Sequence, residues 1–96
     1  MKTVTIKIPE DVKNQVQRAD IECSARRSII TTILEQDLII PEERFKAYQK
    51  DYDEKFFAFE SMKTMVEREY IHTKIDNPIN WVLDYSTNII TVTVED

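Results

Sequence analysis

The sequence predicts an α+β fold, with helices in the middle of the chain and short strands at both ends. Two observations lead to this prediction. Polar and β-branched apolar residues alternate in residues 3–8 and again in "IITVTV" near the end of the chain, which is the two-residue period of a strand. Between these ends, apolar residues recur at helical spacing. Ninety-six residues are enough for one domain with a modest core.

The composition indicates an ordinary globular chain without a membrane-spanning segment. The chain is 42% apolar and 32% charged, and it contains no apolar run of the ~20 residues that a membrane span needs. It also lacks the apolar leader of a secreted protein, and its single cysteine, Cys23, allows no internal disulfide, so we expect a cytoplasmic protein without a membrane partner. Because there is no glycine, turns with a positive φ must use Asn or Asp, such as Asn77 and Asn88.

The first helices follow directly from the N-terminal strand. Pro9 ends the strand, and Glu10 and Asp11 suit the positive end of a helix dipole, so we predict a first helix over residues 10–21. "ECSARR" interrupts the apolar pattern, and Ser24 is a good N-cap for a second helix. The apolar residues of that second helix are Ile29, Ile30, Ile33 and Leu34, and it should fade over residues 36–40.

A long amphipathic helix is predicted from Pro41 to about Ile75, where no breaker interrupts the chain. Four of its apolar residues repeat every seven positions: Phe45, Tyr52, Phe59 and Val66. This seam is typical of helix-on-helix packing, either in the core or at a dimer interface, or it covers the C-terminal strands. "WVLDY", "STN" and "IITVTV" then predict a hairpin, with Trp81, Leu83 and Tyr85 facing Ile90, Val92 and Val94.

The first forty residues resemble the ribbon–helix–helix family of DNA-binding proteins, the class of the Arc and methionine repressors. The likeness lies in "KTVTIKIPEDV", in Val16 and Ala19, and in "SARRSIITTIL". In that family a strand pairs antiparallel with its twin from a second subunit, and the two-stranded ribbon enters the major groove of DNA. The resemblance implies a dimeric ribbon–helix–helix head in residues 1–40, followed by an extension in residues 41–96 that binds a partner or enlarges the dimer.

The resemblance also implies roles for individual residues. The outward-facing Thr3, Thr5 and Lys7 would contact base edges, and Ser24, Arg26 and Arg27 would contact DNA phosphates at the start of the second helix. A helix N-terminus suits a phosphate, because it presents unpaired N–H groups and a partial positive charge. Seven apolar residues would form the dimer core: Val4, Ile6, Ile8, Val12, Val16, Ile29 and Ile33.

A homodimer of this kind would bind double-stranded DNA as a transcriptional repressor, an antitoxin or an accessory factor of a mobile element. Its charge is uneven, because residues 1–34 hold six basic and four acidic residues, whereas the rest hold seven basic and fourteen acidic. The acidic second segment could bind another protein, such as a toxin. The partner-binding candidates are aromatic: Phe45, Tyr52, Phe56, Phe59 and Trp81.

A competing interpretation pairs the N-terminal strand with the C-terminal hairpin, since "TVTIKI" and "ITVTV" share the same alternation. The chain would then be a protein-interaction or assembly module of a phage or mobile element, without a DNA role. The strand neighbour of Thr5 separates the two: Thr5 of a second copy for the DNA-binding dimer, or residues 90–94 for the interaction module. We expect neither catalysis nor a metal or other cofactor, because no nucleophile–base motif has suitable spacing and His72 is the only histidine.

Overall fold

The computed structural model describes residues 2–95. It confirms an α+β fold with an N-terminal strand, two helices and a C-terminal antiparallel strand pair. In chain order the elements are β1 (Lys2–Lys7), α1 (Glu10–Glu35), α2 (Glu42–Val66), a π-helical turn (Glu67–Ile71), β2 (Pro78–Asp84) and β3 (Ile89–Val94). The molecule extends 51 × 28 × 21 Å, so the helical hairpin reaches well beyond strands that are each about 20 Å long.

The three strands form one antiparallel sheet in the order β1-β3-β2. Thr5 lies opposite Thr91, and Ile6 lies opposite Ile90. Of the two partners that the sequence left open for β1, the C-terminal hairpin is the one observed, because Thr5 lies beside residues 90–94. The expected pairing with a second copy is not the pairing that β1 makes with β3, and it concerns only the other edge of the strand. The predicted hairpin is confirmed, with Trp81 opposite Val92 and Leu83 opposite Ile90.

The hydrophobic core lies between the sheet and the helices, and it draws on both ends of the chain. Its buried residues are Ile6, Ile8, Val16, Val66, Ile71, Ile90, Val92 and Val94, with Val12 packed against them. Four residues assigned to a dimer core (Ile6, Ile8, Val12 and Val16) thus belong to the core of a single chain. Since residues 1–40 and 41–96 share this core, the predicted head and extension do not fold around separate cores.

The remaining members of the predicted dimer core have different environments. Ile33 is buried near the end of α1, outside the main cluster. Val4 and Ile29 are 37% and 43% exposed, so neither is a core residue within the chain. The exposed Val4 side chain lies on β1, the strand at one edge of the sheet.

The helix break predicted near Cys23 does not exist, because α1 runs unbroken from Glu10 to Glu35. Its buried residues Val16, Cys23 and Ile33 continue one apolar stripe through the expected turn at helical spacing. Residues 10–35 contain no glycine or proline, the residues that most often end a helix, so the local sequence does not favour a break. The Ser24 hydroxyl does not cap a helix, since it donates a hydrogen bond to the Asp20 carboxylate at 3.3 Å.

A short turn after α1 reverses the chain into α2. Asp37 has a positive φ of 52°, and the Leu38 N–H donates to the Ile33 carbonyl at 3.1 Å. This is the Schellman arrangement that usually uses glycine; here aspartate takes its place, one of the two residue types expected for such turns. The resulting helices are antiparallel, as the ion pairs Arg26–Asp51 and Lys55–Glu22 indicate.

The aromatic seam of α2 packs largely within the chain. Its members Phe45, Tyr52 and Phe59 are half-buried, and Val66 is fully buried. The uninterrupted helix predicted from residue 41 is confirmed through Val66, after which the helix widens into the π-helical turn. Phe59 and Val66, at the C-terminal end of the seam, belong to the core shared with the strands, so the seam covers the sheet as well as packing between the helices.

Candidate interaction surfaces

The predicted base-contacting residues share one exposed face of the sheet. Thr3, Thr5 and Lys7 are exposed, and they alternate with Ile6 and Ile8, which point into the core. Thr93, Thr91 and Ile89 of β3 lie directly opposite them. The outer face is therefore a three-stranded, threonine-rich surface rather than an isolated two-stranded ribbon.

The predicted phosphate-binding residues do not surround a helix N-terminus. Ser24, Arg26 and Arg27 lie in the interior of α1, where backbone N–H groups are used within the helix. Arg26 Nε donates to the Asp51 carboxylate at 3.1 Å, and Arg27 donates to the Ser24 hydroxyl at 3.3 Å. The expected phosphate site required a helix N-terminus with free N–H groups at these three residues, and α1 has no N-terminus there.

The outer edge of β1 is open to pairing. The Ile8 N–H donates to the Asn88 carbonyl at 2.9 Å, so the even-numbered residues of β1 exchange hydrogen bonds with β3. In an antiparallel pair the bonding direction alternates from residue to residue. The N–H and C=O groups of Thr3, Thr5 and Lys7 consequently point away from β3, at an edge with no strand beside it in residues 2–95.

The opposite edge of the sheet, formed by β2, is less suited to pairing. Pro78 begins the strand, and the register shifts between Pro78 and Asn80. Proline and bulges are two devices that protect a strand edge from further pairing. β1 has neither, and its register with β3 is regular from Lys2 to Lys7.

An aromatic crevice of about 410 Å³ opens between α2 and β2. Three aromatic side chains line it: Phe59 of α2, Trp81 of β2 and Tyr85 just after β2. Apolar groups of Val16, Ile79 and Leu83 complete the walls, and Lys63, Glu67 and Asn80 supply polar groups. The crevice is large enough to accept one side chain.

Hydrogen bonds hold two of the aromatic residues in place. The indole N–H of Trp81 donates to Glu67 Oε1 at 2.9 Å, and the Tyr85 hydroxyl donates to Asp20 Oδ2 at 2.8 Å. Burial, together with the bond to the Asp20 carboxylate, raises the pKa of Tyr85 well above its ordinary value. Tyr85 therefore remains a neutral donor, which fixes the ring at one wall of the crevice.

The two charged side chains that line the crevice, Lys63 and Glu67, differ in whether they form an ion pair. Lys63 pairs with Glu60 at 2.9 Å, and its Nζ lies 4.8 Å from the centre of the Phe59 ring. Within residues 2–95, by contrast, the Glu67 carboxylate pairs with no lysine or arginine, and it accepts a hydrogen bond from Trp81. The crevice therefore contains a carboxylate without a cationic partner.

The predicted partner-binding aromatics divide into two groups. Phe59 and Trp81 line the aromatic crevice, whereas Tyr52 and Phe56 form a ring pair on α2 at 5.9 Å between centres, and Phe45 is half-buried. Lys63, Glu67 and Tyr85 were missed as site residues. The spacing of Phe59, Lys63 and Glu67 at every fourth position was the one signal in the sequence that could have grouped three of the lining residues.

The tip of the helical hairpin exposes a second apolar surface. Leu34, Leu38 and Ile39 are 66%, 47% and 101% exposed, and a shallow cleft beside them is lined by Ile33, Ile40 and Tyr48 among others. Exposed aliphatic groups of this kind mark interaction surfaces in many proteins. Nothing in residues 2–95 covers this tip.

Neither helix of residues 2–95 has an apolar stretch long enough to cross a bilayer. The same residues contain no group of three or more potential metal ligands. No protein-family model matches the chain, and no curated protein or solved structure is significantly similar to it.

Proposed function

We propose that the protein is an interaction module that self-associates through the open edge of β1. In the proposed dimer, the β1 strands of two copies pair antiparallel and join two three-stranded sheets into one sheet of six strands. The observation that carries the proposal is the edge itself, where Thr3, Thr5 and Lys7 direct backbone donors and acceptors away from β3. Unpaired edges of this kind readily add another strand.

The sequence of β1 favours a twofold axis at Thr5. This register places Thr5 opposite Thr5 of the second copy and Thr3 opposite Lys7 of the second copy. The outward-pointing backbone groups of all three residues then bond across the axis. An axis at Lys7 would instead bring two lysines together, and like charges directly opposite each other are destabilising.

The same register would complete the apolar layer beneath the sheet. Val4 is 37% exposed, whereas Val92 beside it on β3 is fully buried. Pairing about Thr5 would set Val4 against Ile6 of the second copy. Removal of this side chain from water is favourable by about 25 cal/mol per Å² of apolar area, which adds to the backbone hydrogen bonds.

Sedimentation velocity over a wide range of protein concentrations tests the proposal. We expect a reversible monomer–dimer equilibrium, and we expect Thr5→Pro to abolish it. The Thr5 N–H points away from β3, so proline removes a donor that only the second copy would use and is tolerated at such an edge. Thr5→Val is the matched control, because it keeps the N–H and should still dimerise.

A dimer that persists in folded Thr5→Pro would overturn the proposal, as would a wild-type chain that stays monomeric throughout. Circular dichroism establishes that each variant is folded. In a sample that mixes labelled and unlabelled chains, NMR should also detect a contact between the α protons of Val4 and Ile6 of different copies. These protons approach closely in a non-hydrogen-bonded antiparallel pair.

DNA binding by the same surface is the second candidate, and the exposure of Thr3, Thr5 and Lys7 favours it. Pairing about Thr5 would bring these residues of two copies together on one outer face. Threonine hydroxyls and lysine suit base edges and phosphates. The ribbon–helix–helix resemblance supports this candidate through β1 alone, because residues 10–35 form one helix instead of two. Fluorescence anisotropy with duplex DNA at about 50 mM salt, where electrostatic binding is strong, tests it, and an absence of binding there would exclude it.

A further inference from the structure

We infer that the aromatic crevice is a binding site for a basic side chain, lysine or arginine, presented by a partner protein. The crevice combines aromatic faces with a carboxylate that has no cationic partner in residues 2–95. These are the two features that recognise an ammonium or guanidinium group in a partly desolvated site. The inference is independent of self-association, because the crevice lies beside β2, at the opposite edge of the sheet from β1.

The aromatic lining already accommodates a positive charge. Lys63 Nζ lies 4.8 Å from the centre of the Phe59 ring, within the range of a cation–π contact. Trp81 and Tyr85 present further rings to the same space. A second cation entering from the partner would meet these two rings, while Lys63 remains paired with Glu60.

The charge balance at the crevice favours a cation. Glu67 lines it directly, Asp20 accepts the hydrogen bond of Tyr85, and Glu60 neutralises Lys63. Of these three carboxylates only Glu67 lines the crevice, because Glu60 and Asp20 lie outside the lining and are engaged by Lys63 and Tyr85. Glu67 has its Oε1 held by Trp81 at 2.9 Å, which keeps the carboxylate at the crevice and leaves Oε2 able to accept from a guanidinium or ammonium group.

The local backbone supports a specialised role for Glu67. The chain changes from α-helix to π-helix at this residue, and the π-helical turn continues to Ile71. Such turns are rare and are frequently found at functional sites. Glu67 itself keeps α-helical backbone angles, and its N–H still bonds to the Lys63 carbonyl. The widening begins at its carbonyl, which accepts a hydrogen bond from the His72 N–H at 2.8 Å, so Glu67 lies at the point where the two helical geometries meet.

Trp81 provides a direct measurement, because it is the only tryptophan in the chain. The probe is the peptide acetyl-Ala-Ala-Arg-Ala-Ala-amide, and its partner probe replaces arginine with citrulline, which has nearly the same shape without the charge. We expect the arginine peptide to change Trp81 fluorescence saturably, with a dissociation constant of about 1 mM. The citrulline peptide should bind at least about tenfold more weakly, because the charge-assisted bond to Glu67 is lost.

Glu67→Gln and Glu69→Gln form a matched pair of variants. Both remove one negative charge from the π-helical turn, but Glu69 is exposed and does not line the crevice. We expect Glu67→Gln to weaken arginine-peptide binding about tenfold, whereas Glu69→Gln should change it less than about twofold, since exposed charges are screened. Glutamine can still accept the Trp81 hydrogen bond, so the thermal unfolding midpoint of Glu67→Gln should change little.

Several results would overturn the inference. Equal binding of the arginine and citrulline peptides would indicate an apolar site, and equal effects of the two variants would indicate diffuse electrostatic attraction. An unchanged Trp81 emission together with an unchanged indole N–H signal in NMR, up to the solubility limit of the peptide, would exclude the site. The titration is repeated with Thr5→Pro, where unaltered peptide binding separates this site from the proposed dimer.

Discussion

Ile6 of β1 lies directly opposite Ile90 of β3, and both side chains are almost completely buried, at 4% and 0% exposure. This contact joins residues that are 84 positions apart in the sequence. It makes the N-terminal strand part of the core of its own chain. The role of β1 in the fold can therefore be separated from its proposed role in self-association.

Ile6→Ala should lower the free energy of unfolding by about 2–5 kcal/mol, because it leaves a cavity in a packed core. Ile90→Ala should have a similar effect, while Val4→Ala, at an exposed position, should cost much less. Urea unfolding measured at a protein concentration where the chain is monomeric checks these values. A negligible effect of Ile6→Ala in the monomer would mean that β1 does not pack in the core as described.

Tyr85→Phe should lower the free energy of unfolding by about 1–2 kcal/mol near neutral pH, since it removes a hydrogen bond to a partly buried carboxylate. The variant should also change the alkaline behaviour. The pKa of Tyr85 is raised by burial and by Asp20, so the folded chain keeps a proton that the unfolded chain releases near pH ~10. This contribution to stability is present below the unfolded pKa and is lost as the pH rises above it.

Urea unfolding between neutral pH and pH ~11 measures this dependence. We expect the wild type to lose stability more steeply above pH ~10 than Tyr85→Phe does. Tyr48→Phe is the control, because it removes a phenolic hydroxyl from α2 instead. Parallel alkaline slopes for the wild type and Tyr85→Phe would argue against the Tyr85–Asp20 hydrogen bond.

Asn88→Ala should lower the free energy of unfolding by about 1 kcal/mol, because Asn88 has a positive φ of 60°, a conformation that disfavours a Cβ atom. Asn88→Gly should cost little, since glycine adopts this conformation without strain. The comparison of the two variants isolates the backbone effect. Equal thermal midpoints would show that the hairpin loop does not require this conformation.

Lys7→Ala should weaken DNA binding and reduce its dependence on salt, if the outer face of the sheet binds DNA. Neutralising one phosphate fewer lowers the slope of log affinity against log salt by about 1. Lys50→Ala, which changes an exposed lysine of α2, should leave the slope unaltered. Anisotropy titrations at several salt concentrations measure the slope, and equal slopes for both variants would remove Lys7 from the interface.

The strands at both ends of the chain were predictable because alternation is a local property. "TVTIKI" and "IITVTV" each encode one apolar face, and the facing apolar pairs of the C-terminal hairpin followed from the same period. The requirement for Asn or Asp at positive φ was likewise local, and Asn88 and Asp37 meet it, whereas Asn77 does not adopt a positive φ. The seven-residue seam of α2 correctly indicated a face that packs within the structure, but it could not say whether a helix or the sheet covers each part of that face; Phe59 and Val66 pack in the core with the strands.

The errors arose where local signals compete with long-range packing. A serine after a polar interruption predicted a new helix at Ser24, yet α1 continues through this position, with Val16 and Cys23 buried before it and Ile33 buried after it. The aromatic crevice was not predictable as a site. It forms only because β2 lies against the end of α2, which brings Glu67 and Trp81, 14 positions apart in the sequence, within hydrogen-bond distance.

The sequence by itself determined that the chain has strand-forming ends and a helical middle, because side-chain alternation and helical spacing act over a few residues. Only the tertiary structure decided which strand pairs with β1. The backbone of β1 could form the same hydrogen bonds with a second copy or with residues 90–94, so alternation alone cannot distinguish these two partners. Pairing with residues 90–94 is favoured because it buries Ile6 beside Ile90 in a core shared with Val16 and Val66.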